Sequence, residues 1–226
     1  ATGKKSAAFD FQFRYNVRDA INANDWSKLN STNNLVHDAG YRQWAVTFVE
    51  NHDTQYRSAS EQLDPIRKDT LAANAYLLAM PGTPCVFLPH WKAYKSEIKS
   101  MIDVRRAAGI TNTSTYTNIS PGSTLYRNTV TGTKGKLLVC LGNKAGASSA
   151  LGGYTNVLSG YHYAYLLDNS LETAFADKSS GTYETTIPVK LSAVSATGGA
   201  KLVYTTDGST PTASSPSVAS GQTVNI

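Results

Sequence analysis

The run Trp44-Ala45-Val46-Thr47-Phe48-Val49 is apolar almost throughout and stops abruptly at Glu50-Asn51-His52-Asp53-Thr54. A strand buried on both faces reads as a near-continuous apolar run, whereas a half-exposed strand alternates. Such strands belong to parallel sheets covered by helices, and chemistry in those folds sits where the strands end. The pattern therefore places Asn51, His52 and Asp53 on the loop leaving a buried strand, at a position held by rigid backbone.

The flanking segments fit that frame. Ser6 to Phe13 alternates, with Phe9, Phe11 and Phe13 on one face, and predicts a strand. Val17, Ala20 and Ile21 recur at helical spacing and predict a short helix that Asn16 would cap. Asp25 to Gly40 is polar and reads as a connection. After the central strand, Gln55 to Asp64 reads as a polar loop carrying Arg57 and Glu61. Asp64-Pro65 has the chemistry of a helix start, predicting a helix from about Ile66 to Met80 that Pro81-Gly82 ends. Cys85 to Leu88 reads as the next buried strand, followed by a helix over Lys92 to Ala108 with Gly109 as its left-handed cap. Residues 6–108 thus spell β-α-β-α-β-α, three turns of a right-handed α/β wind.

These motifs resemble a known family. Phe48-Val49-Glu50-Asn51-His52-Asp53-Thr54 is similar to the seventh-strand motif of the α-amylase family of glycoside hydrolases. Pro81-Gly82-Thr83-Pro84-Cys85-Val86-Phe87-Leu88 resembles the family's eighth strand, and Phe9-Asp10-Phe11 its sixth. The resemblance runs from about Ser6 to Asp168. It implies the last three β/α units of a TIM (β/α)8 barrel. A complete barrel needs about 250 residues, and three strands alone leave unpaired edges. About five strand–helix units are therefore expected upstream of this sequence, whose first residue, Ala1, suggests a processed or excised start.

From Thr111 the composition shifts to short strand-like runs separated by Gly, Asn and Ser turns, predicting an antiparallel β domain over 111–170. It resembles the small C-terminal domain of α-amylases. Asn169 to Gly181 reads as a linker. Residues 182–226 return to strand patterns around Asp207-Gly208, a tight-turn pair. They look like part of a β-sandwich module found at the C-terminus of chitobiases, here read as a spacer. The expected organisation is α/β plus all-β: a barrel portion over 1–110, a β domain over 111–170 and a partial sandwich over 182–226.

Composition closes off other classes. Hydrophobic residues make up 41% and charged residues 16%, so a packed core is expected. The net charge of +5 is scattered, and Lys4-Lys5 and Arg105-Arg106 are too short for a nucleic-acid stripe. No apolar run approaches the roughly 18 residues of a membrane span, and no signal-peptide pattern is present. Cys85 and Cys140 lie in apolar runs and read as buried free thiols.

The resemblance also carries chemistry. Retaining glycosidases need a nucleophilic carboxylate and an acid/base carboxylate about 5 Å apart. In the family these follow the fourth and fifth strands, so neither is assigned here. Asp53 matches the third catalytic carboxylate, buried beside the other two. His52 and Asn51 match sugar-binding positions, and Arg57 is a further candidate for substrate contact. His90-Trp91 reads as a packed aromatic at a helix start, with a lining of the sugar groove as the alternative, and His37 and His162 read as structural. Calcium in the family is held by an inserted domain that precedes this region, so no metal ligand and no cofactor are assigned. The implied partner is an α-glucan polysaccharide or oligosaccharide, and the implied setting is extracellular, periplasmic or at the cell surface. The competing reading is a non-catalytic carbohydrate-binding or scaffold fragment.

Overall fold

A computed structural model describes residues 6–61, 63–143, 145 and 151–226; Lys4-Lys5 lies outside them. Strands β1 (Ala8–Phe9), β2 (Ala45–Thr47) and β3 (Thr83–Pro84) form a parallel sheet in the order β1-β2-β3, with Ala8 opposite Ala45 and Val46 opposite Thr83. Helix α1 (Phe11–Ala23) follows β1 and α2 (Thr70–Ala79) follows β2. Helices α3 (Leu88–Ala93) and α4 (Lys95–Ala108) follow β3. The expected alternation of parallel strands and helices is present.

Its boundaries differ, for local reasons. The Phe9/Phe11/Phe13 alternation does not make one strand, because Asp10 caps α1. Its carboxylate accepts from Phe13 N at 3.0 Å and from Val36 N at 3.1 Å. Phe13, Val17, Ala20 and Ile21 then form a buried helical face, which the competing two-residue period disguised. Asp10, not Asn16, is the cap. Asp64-Pro65 starts no helix. Asp64 sits at φ +82°, Asn22 takes both Pro65 O and Arg67 N, and the Ile66 amide is bonded to Glu50, so α2 waits until Thr70. Pro89 in the first turn of α3 draws Leu88 into a helix, leaving Cys85 exposed just past β3 rather than buried. Cys140 is buried as expected.

Strands β4 (Thr115–Pro121), β5 (Tyr126–Thr131), β6 (Lys136–Leu141), β7 (Tyr154–Gly160) and β8 (Tyr163–Asp168) form an antiparallel sheet in the order β4-β5-β6-β8-β7. One face rests on α2 and α4. Tyr165 donates its hydroxyl to Ala75 O, and Asn128 Nδ2 lies 3.1 Å from the Met80 sulfur. The core is therefore continuous from α1 through α2 and α4 into this sheet.

The stretch read as a linker is partly strand. β9 (Thr173–Ala176) pairs with β10 (Pro188–Val194), which pairs on its other edge with β13 (Thr223–Asn225). β11 (Lys201–Val203) and β12 (Ser217–Ala219) form a separate hairpin. Val194 is fully buried in the main core and Phe175 packs against it, so β10 docks on the preceding domain. Thr173 and Phe175 are good strand formers, and this is the signal that the Ser, Thr and Ala content concealed.

Four phenols in this core give a pH signature. Burial raises Tyr76, Tyr126 and Tyr165, and pushes Tyr163 up to about 12. Unfolded phenols titrate near about 10. The folded state thus keeps protons that the unfolded state releases. The stability these groups contribute is complete below about pH 10 and is lost as pH rises through about 12. An alkaline titration that follows phenolate absorbance and circular dichroism together tests this. The buried four should ionise only together with loss of circular dichroism. Ionisation of all tyrosines with the fold intact would contradict this.

Candidate functional site

β2 is the middle strand, so its carboxyl end lies between the ends of β1 and β3. Phe48 and Val49 continue it into the core, and Glu50 is the last buried residue before the chain turns outward. Asn51 organises that turn. Its carbonyl accepts from Thr54 N at 3.2 Å and Gln55 N at 3.0 Å, and its side-chain oxygen accepts from Asp53 N at 3.0 Å. The Asn51 amide donates to Thr54 Oγ1 at 3.1 Å. This local chemistry is why Asn and Thr suit those positions.

The turn displays His52 and Asp53, with side chains 76% and 70% exposed and His52 Nε2 3.3 Å from Asp53 Oδ1. Arg57 stands beside them. It donates to His52 O at 2.6 Å and to Glu61 Oε1 at 2.6 Å, so it braces the loop rather than reaching outward. The structure thus brings Asn51, His52, Asp53 and Arg57 onto one loop. Asp53 faces solvent here, not a buried cluster of acids.

Beneath the turn lies a pair that sequence reading missed. Glu50 and His90 are 8% and 7% exposed, and Glu50 Oε2 lies 3.0 Å from His90 Nε2. A separation of 40 positions in the sequence leaves no local signal. Glu50 is consequently unavailable as an acid partner to Asp53. His90 is not merely a packed aromatic at a helix start. Aromatic rings gather where β1 and β2 end: Phe9 and Phe11, both exposed, meet Phe48 edge-on at 5.4 and 5.1 Å between centroids. A groove of about 630 Å³ lies on the tail, lined by Lys178, Tyr183, Glu184 and neighbours; none of the loop residues above lines it. Among the described residues no group of three or more His, Cys, Asp or Glu is placed to hold a metal ion. No helix among them is long and apolar enough to cross a membrane.

Comparison with known proteins identifies relatives of the chain. The α-amylase type B isozyme of Hordeum vulgare is 34% identical over 124 residues, which are 53% of this chain and 77% of that protein. The chain belongs to the α-amylase family. Probable alpha-amylase 2 of Arabidopsis thaliana is 32% identical over 171 residues, 73% of this α-amylase-family chain and 40% of the relative. The glucan 1,4-alpha-maltotetraohydrolase of Stutzerimonas stutzeri is 36% identical over 149 residues, 63% of the chain and 26% of the relative. The chain spans less than half the length of these two. Residues 178–224 match the chitobiase/beta-hexosaminidase C-terminal domain. Among solved structures, AmyP in complex with maltose aligns with a TM-score of 0.50 at 13% identity, covering 78% of the chain and 51% of AmyP, a likeness of fold.

Proposed function

We propose that the chain is the C-terminal part of an α-amylase that hydrolyses internal α-1,4-glucosidic bonds of starch-like glucans with retention, outside the cell or at its surface. Residues 6–108 serve as the last three units of a (β/α)8 barrel, 111–170 as the C-terminal β domain and 182–226 as a partial sandwich module. The observation that carries this reading is the Asn51–Thr54 turn, which presents His52 and Asp53 at the carboxyl end of the central parallel strand. The share of the relatives' length that the chain spans supports a longer enzyme, as do the exposed Phe9 and Phe11 beside the edge strand β1.

In this reading Asp53 accepts hydrogen bonds from hydroxyls of the glucose ring being cleaved, and His52 donates to the same ring. Asn51 and Arg57 hold the loop and border the sugar. Bonds to ring hydroxyls strengthen as the ring flattens toward an oxocarbenium-like state, so they lower the barrier instead of merely binding substrate. The nucleophile and the acid/base come from earlier strands of the barrel. The 226-residue chain by itself is therefore expected to release no reducing ends from soluble starch above an Asp53→Ala control. Release well above that control would refute the division of labour.

A further inference from the structure

We infer that Glu50 is a positioning residue for this site: held by His90, it fixes from below the turn that presents Asp53. The inference rests on the reading of Asp53 given above. A buried carboxylate is costly unless its oxygens are satisfied, and here each has a partner. Oε1 accepts from Ile66 N at 2.9 Å, and Oε2 accepts from His90 Nε2 at 3.0 Å. The buried Arg14 guanidinium lies in the field of the same carboxylate. One side chain thus joins three segments: the exit of β2, the approach to α2 at Ile66, and α3, which follows β3.

The neighbour behind His90 sets its proton. Asn74, fully buried on α2, donates Nδ2 to Thr70 O at 2.8 Å, and the same nitrogen lies 3.2 Å from His90 Nδ1. The Thr70 carbonyl fixes the orientation of the amide, since the flipped form would set two acceptors against each other. Nδ1 therefore accepts and Nε2 carries the hydrogen, which points at Glu50. Asp53 has no comparable anchor of its own: among the described residues its side-chain contact is the exposed His52. Its direction is set by the backbone that leaves Glu50.

Two measurements test this. Nitrogen NMR of this chain should find the His90 hydrogen on Nε2; a hydrogen on Nδ1 would overturn the relay. In the polypeptide that includes the remaining barrel strands, Glu50→Gln and His90→Phe should each lower kcat by about tenfold to a hundredfold with KM little changed, the size expected for a group displaced by about 1 Å. His90→Gln, which restores a donor near Nε2, should recover most of that loss. Should His90→Phe fail to fold, the near-isosteric Glu50→Gln carries the test. A lower thermal midpoint with kcat intact would make the pair purely structural and overturn the inference. If Asp53→Asn abolishes turnover while Glu50→Gln does not alter it, the inference fails and the reading of Asp53 stands. If Asp53→Asn leaves turnover unaltered, that reading falls and this inference with it.

Discussion

Asp53→Asn, made in the polypeptide that carries the remaining barrel strands, should lower kcat by about 10²–10³-fold, the loss typical of removing one group aimed at developing charge. The same substitution should leave the thermal midpoint where it was. The first expectation rests on the role proposed for Asp53; the second follows from the geometry. The Asp53 side chain is mostly in solvent, and its partner is an equally exposed imidazole at 3.3 Å. Exposed pairs of this kind add little to stability. The backbone of the turn is held by Asn51 and Thr54, and the Asp53 amide, not its carboxylate, takes part. Asn keeps the size of the side chain and loses the charge, so the fold persists while the affinity for the flattened ring falls. Steady-state rates on soluble starch, with circular dichroism on the same preparations, separate the two effects.

The largest effect on stability should come from Arg105. This residue of α4 is buried, and its guanidinium donates to three carbonyls: Leu78 O at 2.8 Å, Met80 O at 2.6 Å and Gly82 O at 3.1 Å. Those carbonyls belong to the end of α2 and to the turn that feeds β3, where helix carbonyls otherwise lack partners. Burial lowers the pKa of Arg105, so the fork is kept for the bonds it makes. Arg105→Ala leaves three carbonyls without donors and should cost about 3–5 kcal/mol. That is a large share of a typical total of about 5–15 kcal/mol. Arg105→Lys should fall between, because one ammonium cannot span a fork that reaches three oxygens. Urea denaturation measures both; an Arg105→Ala midpoint equal to wild type would show that the turn is held by other means. The turn itself has little slack: Gly82 lies at φ +86°, and a Cβ there would meet Ala45 O at 3.1 Å.

The element order was readable where one period dominated. The run into Val49 announced a buried parallel strand, Gly109 the end of a helix, and the turn-separated runs after Thr111 an antiparallel sheet; all three are present. Reading failed where two signals competed. Phe9, Phe11 and Phe13 fit a strand, but Phe13 also begins the helical series that Asp10 caps. Asp64-Pro65 has helix-start chemistry, yet its neighbouring backbone groups are engaged by Asn22 and Glu50. The candidate site divides in the same way. Asn51, His52, Asp53 and Arg57 were legible because they are contiguous or nearly so. Glu50 with His90 was not, because the contact arises only when β2 and β3 stand side by side. The burial expected for Asp53 is absent: its side chain is 70% exposed, beside the equally open His52.

A crystal structure of the polypeptide that includes the upstream strands, with a maltooligosaccharide bound, tests the central claim most directly. The expected result is one glucose unit lying across the carboxyl ends of the parallel strands, with its hydroxyls bonded to the Asp53 carboxylate and the His52 imidazole. A sugar seated without touching either side chain, or Asp53 turned away beneath the sheet, would contradict the account.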